Sequence, residues 1–363
     1  MAKRKLNVVI GKYDPRGSQV SKMTGLKSYP FIMQYAKEES NGLDIQLRGR
    51  YINIYYKGGN LLKLSGMKTC EFDKNYFYQP DKGSLRMTDI ERLCHSNYVN
   101  KAKKSKYLKS KTHEELKSLR KEASDIMQEL TSNNKQIINQ LKASDTFEST
   151  AEVLEKMKET MDKWKKRLAA NDIRKSEIGE RTVQHYISLQ NKQFNDKTDF
   201  LVLDPEYAIS TNASYAKEIE KEKQPRIDIL AIEKATGQVY VMELKYGMKS
   251  VDGEASAKKH YDDYLATVGD DSKWKPFIED VKILLQAKKD LLIVDKDVNI
   301  NIADKKPVFA FVMKKEQETD EGDFAEHLEK NDLSHIKTIY LPVEKDYDNP
   351  SSDGHKLTKT YMK

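Results

Sequence analysis

Three charged residues interrupt two apolar runs in the stretch Gln224 to Leu265. Asp228 lies inside Ile227–Ile232, Glu243 lies inside Val239–Leu244, and Lys245 follows at once. Side chains on a strand alternate faces, so Glu243 and Lys245 point one way and Leu244 the other. Ala235-Thr236-Gly237 separates the runs, and a glycine there supplies the positive φ of a tight hairpin turn. A two-residue loop at Ala235–Thr236 pairs residues whose numbers sum to 471 and sets Asp228 opposite Glu243. A loop at Thr236–Gly237 gives 473 and sets Asp228 opposite Lys245. Either register gathers Asp228, Glu243 and Lys245 on one face at one end of the hairpin. A slip of one residue would move Asp228 to the other face.

Two carboxylates a few ångströms apart repel unless a cation sits between them. Hard oxygen ligands select Mg²⁺, with Mn²⁺ able to replace it, over Zn²⁺. Such an ion, held by Asp228 and Glu243, neutralises a phosphodiester oxygen and lowers the pKa of a bound water. Lys245 would orient that water or face the developing negative charge. The competing reading, an exposed sheet edge of mixed charge, does not explain acids set inside apolar runs, where unpartnered charge is costly.

Asp228, fifteen residues, then Glu243-Leu244-Lys245 resembles the active-site signature of the PD-(D/E)XK nuclease superfamily, as do the Pro225-Arg226-Ile227-Asp228 context and the apolar-Glu-Leu-Lys strand. The likeness spans residues 171 to 345. It implies a mixed central sheet with flanking helices, and the Leu244 main-chain carbonyl as a further metal ligand. It also implies an acid on the helix before the core: Glu180 in SEIGERTVQHYI fits that place, and Glu177, one turn earlier, is the rival. AKKHYDDYL (257–265) is similar to the helix after the catalytic strand, where Lys259 or His260 would face the phosphate. An ordinary helix histidine is the competing reading of His260, and His185 reads as structural.

Further elements must carry this hairpin. A β-branched and aromatic strand, Tyr51–Tyr56, a Lys57-Gly58-Gly59-Asn60 turn and Leu61–Leu64 predict an N-terminal hairpin, with a strand at Leu43–Leu47 and a helix near Tyr29–Glu38. Lysines and arginines in the first 30 residues, with Arg48, Arg50, Lys57 and the nearby tyrosines, form either a nucleic-acid surface or a solvated face over a tyrosine core. KAKKSKYLKSKT (101–112) is a solvated linker or a phosphate-tracking strip. Leu116, Leu119, Ala123, Ile126 and Leu130, then Leu154, Met157, Met161, Trp164 and Leu168, mark a helical hairpin. Ser132-Asn133-Asn134 is a potential break in its first helix, and Ser149 with Glu152 reads as a capping box for the second. These stripes could also serve a homodimer or partner protein. Downstream come strands at Phe200–Asp204 and Tyr207–Ile209, a polar Lys/Glu-rich loop (Thr211–Lys223), and a helix from Trp274 to Lys288. A buried strand at Val308–Met313 and a last strand at Lys337–Glu344 complete the list, Pro342 favouring an edge or strand end.

The chain is thus expected to be α/β (α+β). A β-rich N-terminal domain (1–100) precedes a basic linker and helical hairpin (101–170), a restriction-endonuclease-like mixed sheet flanked by helices (171–345) and a loose tail (346–363). Charged residues are 33% of 363, and Lys plus Arg exceeds Asp plus Glu by 7, a balance suited to a polyanion. Mean hydropathy is −0.78, and no run approaches the length of a membrane span. Cys70 and Cys94 match no zinc spacing and fit a reducing, cytoplasmic, prokaryotic setting. No phosphate loop, dinucleotide fingerprint, GxSxG or HExxH occurs. The expected function is Mg²⁺-dependent hydrolysis of phosphodiester bonds, in DNA before RNA, in restriction, repair or phage defence. The alternative is a nucleic-acid-binding or assembly protein that kept the fold without cleaving.

Overall fold

The computed structural model describes residues 29–48, 51–65, 70–71, 87–171, 180–192, 197–209, 226–251, 256–271, 273–343 and 353–363. The basic first 28 residues, Arg50, Glu177 and the loop 211–223 lie outside them.

Helix α1 (Pro30–Lys37) opens on a proline, whose fixed φ suits a first turn. Four antiparallel strands follow in sequence order: β1 (Leu43–Arg48), β2 (Tyr51–Tyr56), β3 (Gly59–Ser65) and β4 (Cys70–Glu71). Lys57 and Gly58 both take positive φ, 45° and 76°, so the β2–β3 turn is a two-residue type I′ turn. Gly59 and Asn60, expected in the turn, belong to β3, and a register shift at Ile54/Tyr55 absorbs the difference.

Helices α2 (Met87–Cys94), α3 (Tyr98–Ala102), α4 (His113–Ala143) and α5 (Phe147–Asn171) come next. Thr112 and Glu115 close a capping box at the start of α4. Contrary to the expected break, α4 runs straight through Ser132–Asn134; the Ser132 hydroxyl donates to the Gln128 carbonyl at 2.9 Å, which a helix tolerates. Helix α5 starts behind Thr146, whose hydroxyl accepts from the Ser149 amide, so Ser149 sits in the first turn and is not the cap. The first stripe (Leu116, Ala123, Leu130) is buried against α2 residues Ile90 and Leu93 in a small core of its own. The second (Leu154, Met157, Met161) is buried with α1 in the main core. Helices α2 and α3 thus pack with α4.

The C-terminal region contains α6 (Glu180–Gln190), β5 (Phe200–Ala208), β6 (Arg226–Glu233), β7 (Val239–Tyr246), α7 (Ala257–Ala266), α8 (Trp274–Asp290), β8 (Val308–Lys314), α9 (Asp320–Lys330) and β9 (Lys337–Leu341). The two strands expected at 200–204 and 207–209 are one, β5, kinked by a bulge after Val202. The sheet order is β5-β6-β7-β8-β9, antiparallel from β5 to β7 and parallel from β7 to β9. The mixed α/β class with flanking helices is as the sequence implies. Buried β8, paired on both sides, is apolar from Val308 to Met313, as a central parallel strand must be, and ends in buried Lys314.

Residues on one face of this sheet (Val202, Ile229, Met242, Leu244, Val312) pack with Val183 and Ile187 of α6. Those on the other (Leu203, Leu230, Val241, Phe311) pack with Phe277 and Leu284 of α8 and share a core with Ile45, Ile54 and Leu62 of the N-terminal sheet. The end of the chain is not a loose tail over 353–363. Leu357 is buried, its amide donates to the Asn191 side chain at 2.8 Å, and Thr338 and Lys363 exchange backbone hydrogen bonds beside β9.

Candidate functional site

The β6–β7 hairpin sets the register on which the site depends. Its pairs run Ile232↔Val239, Ala231↔Tyr240, Leu230↔Val241 and Ile229↔Met242, all summing to 471, so Asp228 comes opposite Glu243. The loop is longer than the expected two residues: Glu233 donates to the Gln238 carbonyl, with Lys234–Gly237 between them, which leaves the register unchanged. Gly237 has φ +70°, and a Cβ there would stand 1.8 Å from the Asn301 carbonyl oxygen, so the position demands glycine twice over.

Pairing between β6 and β7 stops at Ile229. Continued pairing would have the Leu244 amide donate to the Ile227 carbonyl. Instead it donates to Asp228 Oδ2 at 3.0 Å, while β6 stays paired with β5 as far as Ala208↔Arg226. The carboxylate wedges the hairpin open. An extended residue presents its N–H and C=O to the same neighbour, so the Leu244 carbonyl faces this gap too.

Alternation puts Asp228, Glu243 and Lys245 on the α7 face of the sheet. Lys245 Nζ lies 2.9 Å from Glu243 Oε1, and both side chains are buried, at 2% and 6% exposure. His260 Nε2, from α7, reaches the same oxygen at 3.1 Å. Burial pushes the Glu243 carboxyl well above the usual range, the Asp228 charge pushes it further, and the two acids share a hydrogen bond. Asp228 is raised by burial as well. Burial, then Lys245 and Lys259, lowers His260 to about 4, so at neutral pH it is an uncharged imidazole. Glu243, the proton-holding member of the acid pair, accepts from Lys245 on the oxygen that His260 Nε2 also approaches.

Two further acids reach the gap. Glu180 heads α6, and Gln184, four residues on and on the same helix face, donates to the Asp228 carbonyl. Desolvation and then the Asp228 charge raise the Glu180 carboxyl. Glu206, which the sequence did not single out, has φ +56° on the bulged strand β5 and its charge also raises Asp228. No local signal marks Glu206, because only the bulge aligns it with Asp228. Arg181 stands 3.7 Å from Glu206. Four carboxylates (Glu180, Glu206, Asp228, Glu243) thus face two cations (Arg181, Lys245), a surplus of two negative charges when all are ionised. An all-oxygen donor set with that surplus fits a hard divalent cation. Among the described residues no ready-made group of three or more His, Cys, Asp or Glu stands at metal-holding spacing.

The N-terminal sheet fixes the front of α6. A Cβ on Gly58 would meet the Arg181 carbonyl at 2.6 Å, and the Thr182 hydroxyl donates to the Lys57 carbonyl at 3.2 Å. The tight turn thereby seats the residues just after Glu180. A polar cleft beside it is lined by Arg48, Tyr55, Asn60, Arg181, Gln184 and Glu206.

Two of the residues expected to bind nucleic acid are placed otherwise. Arg48 is a buried ion-pair partner of Asp204 at 2.5 Å and donates to the Pro205 carbonyl at 2.9 Å. Burial opposes its charge, but Asp204 prevails and holds it above the ordinary range. Lys57 pairs with Asp162 of α5 at 3.0 Å. Lys259 is exposed on α7 next to His260. His185 points away from the acids, its Nε2 being 3.3 Å from the Gly42 carbonyl oxygen. No helix among the described residues is long and apolar enough to cross a membrane. No protein-family model, no curated protein and no solved structure matches this chain.

Proposed function

We propose that this chain is a metal-dependent nuclease of the PD-(D/E)XK kind, cleaving phosphodiester bonds in DNA, within a cytoplasmic restriction, repair or phage-defence activity. The observation that carries the reading is the open β6–β7 end, where Asp228 and Glu243 share a hydrogen bond, Lys245 sits on Glu243, and four acids outnumber two cations. Asp228, Glu243 and the Leu244 carbonyl would hold Mg²⁺ or Mn²⁺. When bound, such an ion supplies Lewis acidity toward a phosphate oxygen and its attacking water. Lys245 directs an ammonium at that same place and steadies charge that develops on the phosphate. His260, neutral, stands 3.1 Å from Glu243 Oε1 and limits its swing; it is a positioning residue here. Glu180 and Glu206 raise the local negative potential from the rim, and Lys259, exposed on α7, would contact a phosphate.

The test is cleavage of plasmid, linear duplex, single-stranded DNA and RNA by wild type, Asp228→Asn and Lys245→Met, each with Mg²⁺, Mn²⁺ or EDTA. Metal-dependent degradation by wild type alone is expected, with duplex or single-stranded DNA preferred. Equal degradation by all three proteins would sink the assignment. Tight binding without cleavage would make this fold a binding module.

A further inference from the structure

The stretch 101–112 is an ordered surface and not a linker. Ala102, Ser105 and Leu108 are buried at every third position, and the Ser105 hydroxyl accepts from the amides of Tyr107 and Leu108, both at 3.1 Å. That three-residue period is the period of a 3₁₀ turn, which places side chains three apart above one another. The residues between the anchors face outward. Lys101, Lys103, Lys104, Lys106 and Lys109 are all exposed, and none makes an ion pair among the described residues. Some exposed helix lysines do take acids one turn away, as Lys156 does with Glu152 at 2.6 Å and Lys258 with Asp262 at 3.0 Å; what sets the strip apart is five lysines within nine residues and no acid among them. Tyr107, 45% exposed, stands among them, an aromatic face with Lys111 over its ring at 5.4 Å.

We infer that this lysine strip, carried on the helical unit α2–α3–α4, is a second nucleic-acid contact that grips the phosphate backbone away from the cleavage site. Five like charges without acids repel one another and the rest of a basic chain, a cost that a polyanion removes. Compact, strongly hydrated ammonium groups suit phosphates without reading sequence. An anionic membrane is the poorer fit, since the strip offers one aromatic ring and no apolar face to insert. The strip is also offset from the main core. Leu116, in the unit's own core, and Leu141, in the main core, lie twenty-five residues apart on α4, about 38 Å at 1.5 Å per residue. That span is about one turn of duplex. The choice of nucleic acid rests on the nuclease reading; the polyanion affinity does not.

The experiment is fluorescence anisotropy of the full chain on a labelled duplex of about 30 base pairs, in EDTA, across salt. Neutralising all five lysines to Gln should flatten the slope of log K against log salt by about 4, near one unit per phosphate contact. Between about 50 and about 200 mM salt, wild type should then lose affinity several hundredfold more steeply than the variant. The five Lys→Arg changes should restore the slope. Wild type should also lose affinity sharply for duplexes shorter than about one turn, and the Gln variant should not. An unchanged slope in the Gln variant would overturn the inference, as would equal strip-dependent binding to phosphatidylserine vesicles. Strip-dependent duplex binding by a protein that cleaves nothing would keep this grip and remove the nuclease reading.

Discussion

Asp228→Asn should make the protein more stable while abolishing its activity. The amide keeps an oxygen that accepts from the Leu244 amide, a bond now 3.0 Å long, so the open strand end survives. What disappears is a carboxylate that burial disfavours and that the charges of Glu206 and Glu180 oppose. The sign follows from linkage. A folded-state pKa raised above the unfolded value means that the folded chain holds its proton longer, so ionisation at neutral pH destabilises the fold and stability falls as pH rises through that window. Removing the group should return about 1–2 kcal/mol at pH 7, the usual scale for relieving a strained functional residue. Guanidinium unfolding in EDTA reads this directly, with the m-value unchanged. Adding Mg²⁺ at about ten times its dissociation constant should then stabilise wild type by about 1.4 kcal/mol and leave Asp228→Asn unmoved, so the order of stabilities closes or reverses. Cleavage should fall by at least about a thousandfold. A less stable Asp228→Asn protein in EDTA would refute the reasoning, because the carboxylate would then be holding the strand end as a structural group.

Arg48→Met should cost about 3–5 kcal/mol by taking the ion-paired guanidinium from buried Asp204, and Arg48→Met with Asp204→Leu should recover most of it; undiminished stability with weakened nucleic-acid binding would return Arg48 to the substrate. Gly237→Ala should cost more than about 3 kcal/mol, since it adds a 1.8 Å clash with Asn301 to the strain of positive φ, whereas Gly42→Ala, at φ +62° with open space, should cost only about 1 kcal/mol; equal losses in urea melts would contradict the crowding at Gly237. Burial and then Lys314 hold buried His355 down to about 3, so below pH 6.5 the unfolded chain takes up the proton first and stability falls with pH, by about 1.4 kcal/mol per unit until about pH 3. His355→Gln should flatten that acid limb, and an unchanged acid midpoint would show that the ring is already protonated in the fold.

Why the hairpin was legible and its surroundings were not is a matter of range. The charges at 228, 243 and 245 are set by strand alternation and one glycine turn, all within twenty residues, and a loop of four residues instead of two keeps the same pair sum. The helix that carries Glu180 and the apolar centre of β8 follow from equally local patterns. Glu206 needs a bulge in β5 to come level with Asp228, and nothing in LDPEYA announces one. The polar face of the N-terminal sheet misleads in a more instructive way. Asp44, Gln46 and Arg48 alternate with Leu43, Ile45 and Leu47 as though one face met water. In the fold that face is covered: Gln46 accepts from Lys288 at 2.9 Å and donates to Asp44 at 2.7 Å, and Arg48 takes Asp204. His185, Lys288 and Lys192 together hold the Asp44 carboxyl low against the burial that would raise it. Burial of a polar face is permitted only when another element supplies every partner, and these partners lie about 140 to 240 residues away. Polarity along a strand records what its side chains need, and water is only one way to satisfy it. The lysines at 101–109 are the opposite case, a polar run that water serves and to which the rest of the described chain gives no acid partner.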